Sequence, residues 1–369
     1  MKKNIAFLVN SLEGGGAEKT LTIISNKLSE KCYNILIITL SSNAPIYPLS
    51  KNIKTIHLNS QLYKRISVIY KIYDLIKSPF IIKKILNDHK IDILISVLFR
   101  PHIINIATKA VASIKSIIWE HSIQSMGQGK SKIGKYLISQ LYRRADNIIT
   151  VANTGKNDLV ENFNIRKSMI DILHNPIEID KINILKKEPI DKLLKAKIKG
   201  KYVISFAGRL TEAKNLTLLV EAIYKLRNLN IIVLIIGDGE EMTDLSELVD
   251  NYKLTEKFIF LGWQLNPYKY IQNSNCFVLP SKWESFGNVV VEALACNVTV
   301  ITSDAFALKE MNDITNNSTI LFRNNNIDSL SNKLRHYYND LNKNKLEDID
   351  FDQFNTSKIT RTFLQIIGR

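Results

Sequence analysis

Short and nearly unbroken apolar runs recur along the chain, each followed by a polar or glycine-containing turn and then by a longer stretch with helical spacing. NIAFLV (4–9) leads into SLEGGGAEKT and a helical segment at 17–30. NILIITL (34–40), DILISVL (92–98), KSIIWEH (115–121) and NIITVAN (147–153) repeat the theme. Runs of this length bounded by turns predict fully buried strands, and the periodic stretches between them predict helices. Segment 62–87 has an amphipathic pattern, with Leu62, Ile66, Ile69, Ile72, Tyr73 and Ile76 set between basic residues, and an expected break at Ser78-Pro79. A polar, basic segment at 181–200 precedes a restart of the rhythm: strands at 202–208, 231–239, 258–262, 276–280 and 298–304, with helices at 215–228, 241–252, 267–273 and 287–295.

Alternation of this kind predicts an α/β protein with two Rossmann-like domains facing a central cleft. The expected division is 1–195, 196–354 and a closing helix at 355–369 that packs back toward the first domain. At 369 residues the chain suits two domains better than one core. In such sheets ligands sit beyond the carboxyl ends of the strands, so the polar residues there carry the functional reading.

Composition changes the picture in two ways. Residues 1–200 hold 32 Lys and Arg against 15 Asp and Glu, whereas residues 201–369 hold 18 against 20, so the net charge of +15 belongs to the first half. Nucleic acid, anionic lipid or a solvated surface all fit that sign. No aromatic-interleaved basic motif or recognisable nucleic-acid module accompanies it, so no nucleic-acid partner is expected. Three cysteines at 32, 276 and 296 form neither a disulfide framework nor a metal spacing. With an N-terminus that reads as a strand and no long apolar run, they suggest a cytoplasmic protein.

Three strand-end turns hold candidate chemistry. Gly14, Gly15 and Gly16 precede a helix, where backbone N–H groups can approach an anion. The turn has neither the G-x-G-x-x-G pattern nor a P-loop ending, and a flexible turn gives the same letters. SFAGRLTEAKN (205–215) sets Arg209 and Lys214 at a helix start, against the helix dipole. A diphosphate between them would explain two cations there, as would simple solvation. In LPSKWESFGNVVVEALAC (279–296), Glu284 lies in the loop and Glu292 among apolar helical residues. A carboxylate so placed needs a partner, and a pair of ribose hydroxyls fits, although a rim-of-core acid is the plain alternative. Backbone N–H groups at Phe286, Gly287 and Asn288 would face phosphate or sugar. His102, His121 and His174 follow strand-like runs, without metal spacing. The alternating Asp348, Asp350 and Asp352 lie outside the strand–helix rhythm, and no metal site is expected.

The ordered set GGGAEK (14–19), EH (120–121), HNPIEID (174–180), GRLTEAKN (208–215), IGDGE (236–240), FLGW (260–263) and LPSKWESFGNVVVEALAC resembles the retaining glycosyltransferase family 4, of the two-domain GT-B type, over most of the chain. That resemblance implies that Arg209 and Lys214, with Gly208, hold the donor diphosphate, that Glu292 holds the ribose and that Glu284 contacts the donor sugar. It further implies that Gly15 and Gly16 approach phosphate or acceptor, that His121 lies near the transferred sugar and that backbone at Gly262 lies by the base. The implied reaction is metal-independent, cofactor-free transfer of a hexose or N-acetylhexosamine from a nucleotide sugar, of UDP type, to a saccharide acceptor. A polyprenyl-diphosphate-linked acceptor of bacterial surface polysaccharide or glycoprotein glycan synthesis is implied, with peripheral contact to an anionic membrane through the basic half, Lys64, Arg65, Lys71, Lys77, Lys83 and Lys84 included. Two departures stand out: Asn297 replaces the family's glycine, and SDAFALKEM (303–311) lacks the usual glycines. A GT-B-type nucleotide-sugar epimerase and a non-enzymatic polyanion binder are the competing readings.

Overall fold

The computed structural model describes residues 3–58, 68–339 and 349–369, with side chains of the helix starting at 68 described from residue 75. They form two compact units, residues 1–176 with 353–369 and residues 177–352.

The first unit is built on seven parallel strands: β1 (Asn4–Val9), β2 (Asn34–Thr39), β3 (Lys54–His57), β4 (Ile93–Val97), β5 (Lys115–Glu120), β6 (Asn147–Thr150) and β7 (Ile170–Ile172), in the order β3-β2-β1-β4-β5-β6-β7. The helices are α1 (Gly16–Glu30), α2 (Val68–Asp88), α3 (Phe99–Val111), α4 (Lys132–Tyr142), α5 (Asn153–Phe163) and, from far along the chain, α14 (Thr356–Gly368). One face of the sheet packs on α1 and α14 through Leu21, Ile24, Leu28, Phe363 and Ile366. The other packs on α2–α5 through Ile82, Leu86, Ile104, Ile138, Leu159 and Phe163. Strands covered on both faces must be apolar throughout, which is why β1, β2, β4 and β5 read as continuous runs.

Helix α2 runs through Pro79 without the expected break at Ser78-Pro79. Proline inside a helix costs about 3 kcal/mol. Ile82 and Leu86, four residues apart on one face and buried in the core, each contribute about 1.5–3 kcal/mol and offset that cost. Leu62, Ile66, Lys64 and Arg65 lie outside the described residues, as does the side chain of Lys71.

The second unit has six parallel strands: β8 (Tyr202–Ala207), β9 (Ile231–Ile236), β10 (Phe258–Gly262), β11 (Cys276–Leu279), β12 (Thr299–Ser303) and β13 (Thr319–Phe322), in the order β10-β9-β8-β11-β12-β13. Its helices are α6 (Ile179–Leu185), α7 (Lys192–Ile198), α8 (Leu216–Lys225), α9 (Met242–Asn251), α10 (Tyr268–Gln272), α11 (Asn288–Ala295), α12 (Phe306–Ile314) and α13 (Ile327–Asn339).

The division falls at 176/177 and not near 195. Segment 177–195 is tied to the second unit by polar bonds that composition does not reveal. Lys186 Nζ donates to the Ala295 carbonyl at 2.7 Å, and Asn266 Nδ2 donates to the Leu185 carbonyl at 2.9 Å and to Glu188 at 2.8 Å. Helix α14 belongs to the first unit, where Phe363 lies 6.1 Å from Phe7 and 5.4 Å from Trp119 between ring centroids.

Candidate active site

Each sheet reverses its strand order once, between β1 and β4 in the first unit and between β8 and β11 in the second. Connections leaving two neighbouring strands in opposite directions open a crevice at their carboxyl ends, the usual ligand position in such sheets.

In the second unit that crevice lies between the loops after β8 and β11. The first loop is Gly208, Arg209 and a short 3-10 turn, Glu212–Lys214, ahead of α8; the second runs from Pro280 to Gly287 ahead of α11. They are joined directly, since Lys282 N donates to the Ala213 carbonyl at 2.8 Å. Lys214 Nζ forms an ion pair with Glu284, and Ser281 Oγ donates to the same carboxylate at 2.8 Å. Ser281 is in turn fixed from behind, its carbonyl accepting from Ser303 Oγ at 2.6 Å. Of the two cations at the helix start, Lys214 thus has an anion beside it, Glu284. Arg209 is exposed.

Close backbone approach shapes the floor of the crevice. Gly208 N donates to the Ile236 carbonyl at 3.0 Å, Gly237 N to the Gly262 carbonyl at 2.8 Å, and Leu210 N to the Asp238 carbonyl at 2.9 Å. A Cβ on Gly237 would stand 1.9 Å from the Gly208 carbonyl oxygen, so only glycine lets these turns meet. A Cβ on Gly208 would lie 3.6 Å from Lys214 Cε, which places the lysine stem over that glycine.

Gly287 opens α11 with φ +90°, a conformation that favours glycine, and no side chain caps the helix. The first N–H groups of the helix, at Asn288 and beyond, therefore have no side-chain acceptor at the capping position. Phe286 is buried beside them. Glu292 sits one turn along α11, 7% exposed among Val290, Val291, Ala293 and Leu294. Asn297 adopts φ +59°, the left-handed conformation that asparagine tolerates better than most residues, so the turn keeps a glycine-like backbone without the glycine. Segment 303–311 forms the end of β12 and the first turns of α12, where Leu308 packs against the Gly287 position.

In the first unit the glycine turn after β1 holds a surprise for the anion reading. A Cβ on Gly15 would lie 2.3 Å from Glu18 Oε2, so the carboxylate of Glu18, itself nearly buried, folds back over the turn. The turn thus carries a negative group of its own beside the glycines.

His121 follows β5 directly. It is buried against Trp119, with 4.9 Å between ring centroids, and its Nε2 has no hydrogen-bond partner among the described residues. Burial disfavours the imidazolium and lowers its pKa to about 3, an effect that the nearby Glu120 only partly opposes. His121 is accordingly a neutral imidazole.

Behind it lies a buried polar network whose members the sequence did not bring together. Glu120 accepts from Tyr142 Oη at 2.6 Å, Gln124 Nε2 at 2.7 Å and Ser122 N at 2.8 Å, and lies 3.5 Å from His102 Nε2. Burial alone would raise the Glu120 carboxyl, but the nearby His102 ring and hydrogen bonds from Tyr142 and Ser122 hold it at about 2. His102 Nδ1 bonds Ser96 Oγ at 2.8 Å, which places this histidine in the scaffold. His174 lies two residues beyond β7. Asp350 accepts from Asp352 N at 2.8 Å, while Asp348 lies outside the described residues.

Comparison with known proteins fits this geometry. Residues 14–181 match the family model "Glycosyltransferase Family 4" and residues 190–349 the model "Glycosyl transferases group 1". An uncharacterized glycosyltransferase of Methanocaldococcus jannaschii is 33% identical over 244 residues, 63% of this chain and 60% of the relative. The Campylobacter jejuni enzyme N-acetylgalactosamine-N,N'-diacetylbacillosaminyl-diphospho-undecaprenol 4-alpha-N-acetylgalactosaminyltransferase is 36% identical over 174 residues, 47% of this chain and 46% of the relative. The chain thus spans between about half and three fifths of these two relatives. Anabaena HepE, solved in complex with UDP-glucose, superposes with a TM-score of 0.82 at 18% identity over 99% of both chains, a likeness of fold. A Family 4 glycosyltransferase region thus precedes a group 1 glycosyltransferase region, and together the two matches cover most of the chain. Its two α/β halves are those of the GT-B fold.

Proposed function

We propose that this protein transfers a hexose or N-acetylhexosamine, with retention, from a UDP-sugar to a lipid-linked saccharide at the cytoplasmic face of a bacterial membrane. The observation that carries the reading is the Lys214–Glu284 pair at the β8/β11 crevice, one short loop from the uncapped start of α11 and the buried Glu292. Breaking the bond between the anomeric carbon and the diphosphate oxygen builds negative charge on the departing diphosphate. Lys214, Arg209 and the backbone N–H groups at 286–288 are suited to stabilise that charge, and cations fixed before reaction act most strongly. This electrostatic set removes the need for a metal in the proposed step. The acceptor oxygen forms its new bond on the face the diphosphate leaves, and its proton passes to the departing phosphate oxygen. Glu292 is assigned to the ribose hydroxyls, Glu284 to the donor sugar, the backbone at Gly262 to the base and the neutral His121 to the transferred sugar.

The name of the Campylobacter relative, with its diphospho-undecaprenol-linked acceptor, supports a lipid-linked acceptor here, and the UDP-glucose complex of HepE supports a uridine donor. The test is titration of the full chain by calorimetry with UDP and GDP, with and without EDTA, beside Glu292→Ala and Arg209→Ala. UDP binding that survives EDTA and weakens in both variants is expected. Preference for GDP would change the donor class, and no nucleotide binding by folded protein would remove the reading.

A further inference from the structure

His121, just past the end of β5, is the middle residue of a turn that a side chain closes. Glu120 Oε1 accepts from Ser122 N at 2.8 Å, so the carboxylate before His121 holds the amide after it. The other oxygen, Oε2, accepts from Tyr142 Oη at 2.6 Å and Gln124 Nε2 at 2.7 Å, and His102 Nε2 stands 3.5 Å away. One oxygen thus grips the loop, and the other is located by side chains of α3 and α4. Those anchors are held in turn. His102 Nδ1 bonds Ser96 Oγ, which accepts from Asn105 Nδ2 at 3.0 Å, and Asn105 Oδ1 accepts from Ser116 Oγ at 2.9 Å. These polar contacts link β4, β5, α3 and α4, and all four of these anchoring residues are buried.

Replacing a buried charged set by apolar side chains is often neutral or stabilising, so stability alone does not account for Glu120, whereas a need for fixed direction does. The far end of the same loop is pinned in the same manner. Ser125 N donates to Asp158 Oδ2 on α5 at 3.2 Å, and Asp158 Oδ1 accepts from Asn162 Nδ2 at 2.9 Å. Between these two carboxylates the His121 ring rests on Trp119, which is itself wedged against Phe7 and Phe363. His121 is 8% exposed, and its Nε2 has no hydrogen-bond partner among the described residues. A buried polar atom left open in a loop so fully bonded marks a place where a ligand supplies the bond.

We propose that Glu120 is a positioning residue: it sets the direction of the His121 ring and, through it, the contact that this ring makes with the transferred sugar. The inference rests on the assignment of His121 to that sugar, yet its first readout needs no substrate. In the full chain with labelled histidines, the His121 signals are those missing from His121→Gln, and they carry the ring-current shift of Trp119. Glu120→Gln keeps the volume and removes the charge that gathers the donors, so it should move those signals. If that variant does not fold, Tyr142→Phe, which removes one donor to Glu120, should move the same signals. Unmoved signals in a folded variant would overturn the proposal. The second readout is release of sugar from UDP-glucose, UDP-galactose and their N-acetylamino counterparts. Glu120→Gln should lower kcat about ten- to a hundredfold with donor KM within a few-fold of wild type, because orientation and not binding is lost. In a His121→Ala background the same change should cost less than about twofold, since it acts through the missing ring. Losses that multiply would make Glu120 merely structural and overturn the inference while leaving His121 in place. Undiminished turnover in His121→Ala would remove the sugar assignment and the inference with it. A chain that cleaves none of the four donors would fail the proposed function, and the ring signals would then decide the inference alone.

Discussion

Lys214 and Glu284, 70 residues apart in sequence, form an ion pair at the carboxyl ends of neighbouring strands, and Ser281 holds the same carboxylate. Glu284 supplies the negative charge beside Lys214.

The roles proposed for these two residues separate binding from reaction. Glu284→Gln removes the competing charge while keeping the shape, so UDP is expected to bind as tightly or a few-fold more tightly, whereas transfer falls by about a hundredfold because the sugar is misplaced. Lys214→Gln is expected to lower both UDP affinity and kcat. Calorimetry and steady-state kinetics on the two variants read the contrast, and equal loss of UDP affinity in both would contradict it.

Glu292 makes a different expectation testable. Hydrogen bonds to a charged acceptor contribute about 1.5–3 kcal/mol each, so Glu292→Gln should weaken UDP about 10- to 100-fold. The same variant should bind inorganic pyrophosphate as well as wild type does, since the residue is assigned to the ribose. Loss of pyrophosphate binding would move Glu292 into the scaffold.

His121 gives stability a pH dependence with a defined sign. Its folded pKa, about 3, lies below the ordinary value of 6.5, so the unfolded chain binds a proton that the folded chain refuses. The stability it contributes is complete above pH 6.5 and is lost as pH falls toward about 3. Glu120, held at about 2, acts in the same direction but in a lower window, below 4.5. Between pH 6.5 and pH 5 the wild type should therefore lose about 2 kcal/mol more than His121→Gln in urea unfolding. Parallel pH profiles for the two proteins would refute the assignment of a buried neutral imidazole.

Gly287 and Gly262 both have positive φ, at +90° and +64°, but only the former is crowded, with Leu308 Cδ2 3.0 Å from a built Cβ. Alanine at Gly262 meets open space and should cost about 1 kcal/mol from backbone strain alone. Alanine at Gly287 should cost more and should also weaken UDP, because it displaces the start of α11. Thermal melts and calorimetry on the two variants compare these effects directly.

The sequence exposed the strands with buried faces most clearly. β1, β4, β8 and β9 are covered on both sides, and an unbroken apolar run has few other uses. β3 escaped notice because Lys54 and His57 are exposed at the sheet edge, and β7 because it has only three residues. Pro79 suggested a break that tertiary packing overrides. Segment 177–195 looked like part of the first half because its attachment rests on individual hydrogen bonds. Near the candidate site, Arg209, Lys214, Glu284 and Glu292 were legible because their charge conflicts with their surroundings. Ser281 and Glu18 were not, since a serine in a loop and a glutamate in a first helical turn are unremarkable until the backbone brings them to a partner. The acid in GGGAEK was the one available signal for Glu18.

Helix α14 lies beside Phe7 and Trp119, although the whole second unit intervenes in the chain. On the ribosome, therefore, the unit synthesised first cannot complete its core until the unit synthesised after it has emerged. The second unit, continuous in sequence, is free to fold while the first still exposes the apolar groove that α14 will fill. Domains usually mature in the order of synthesis; here the order of completion is reversed. An N-terminal fragment ending before α14 would leave that groove open to chaperones and proteases, so a prematurely terminated chain would be cleared rather than persist.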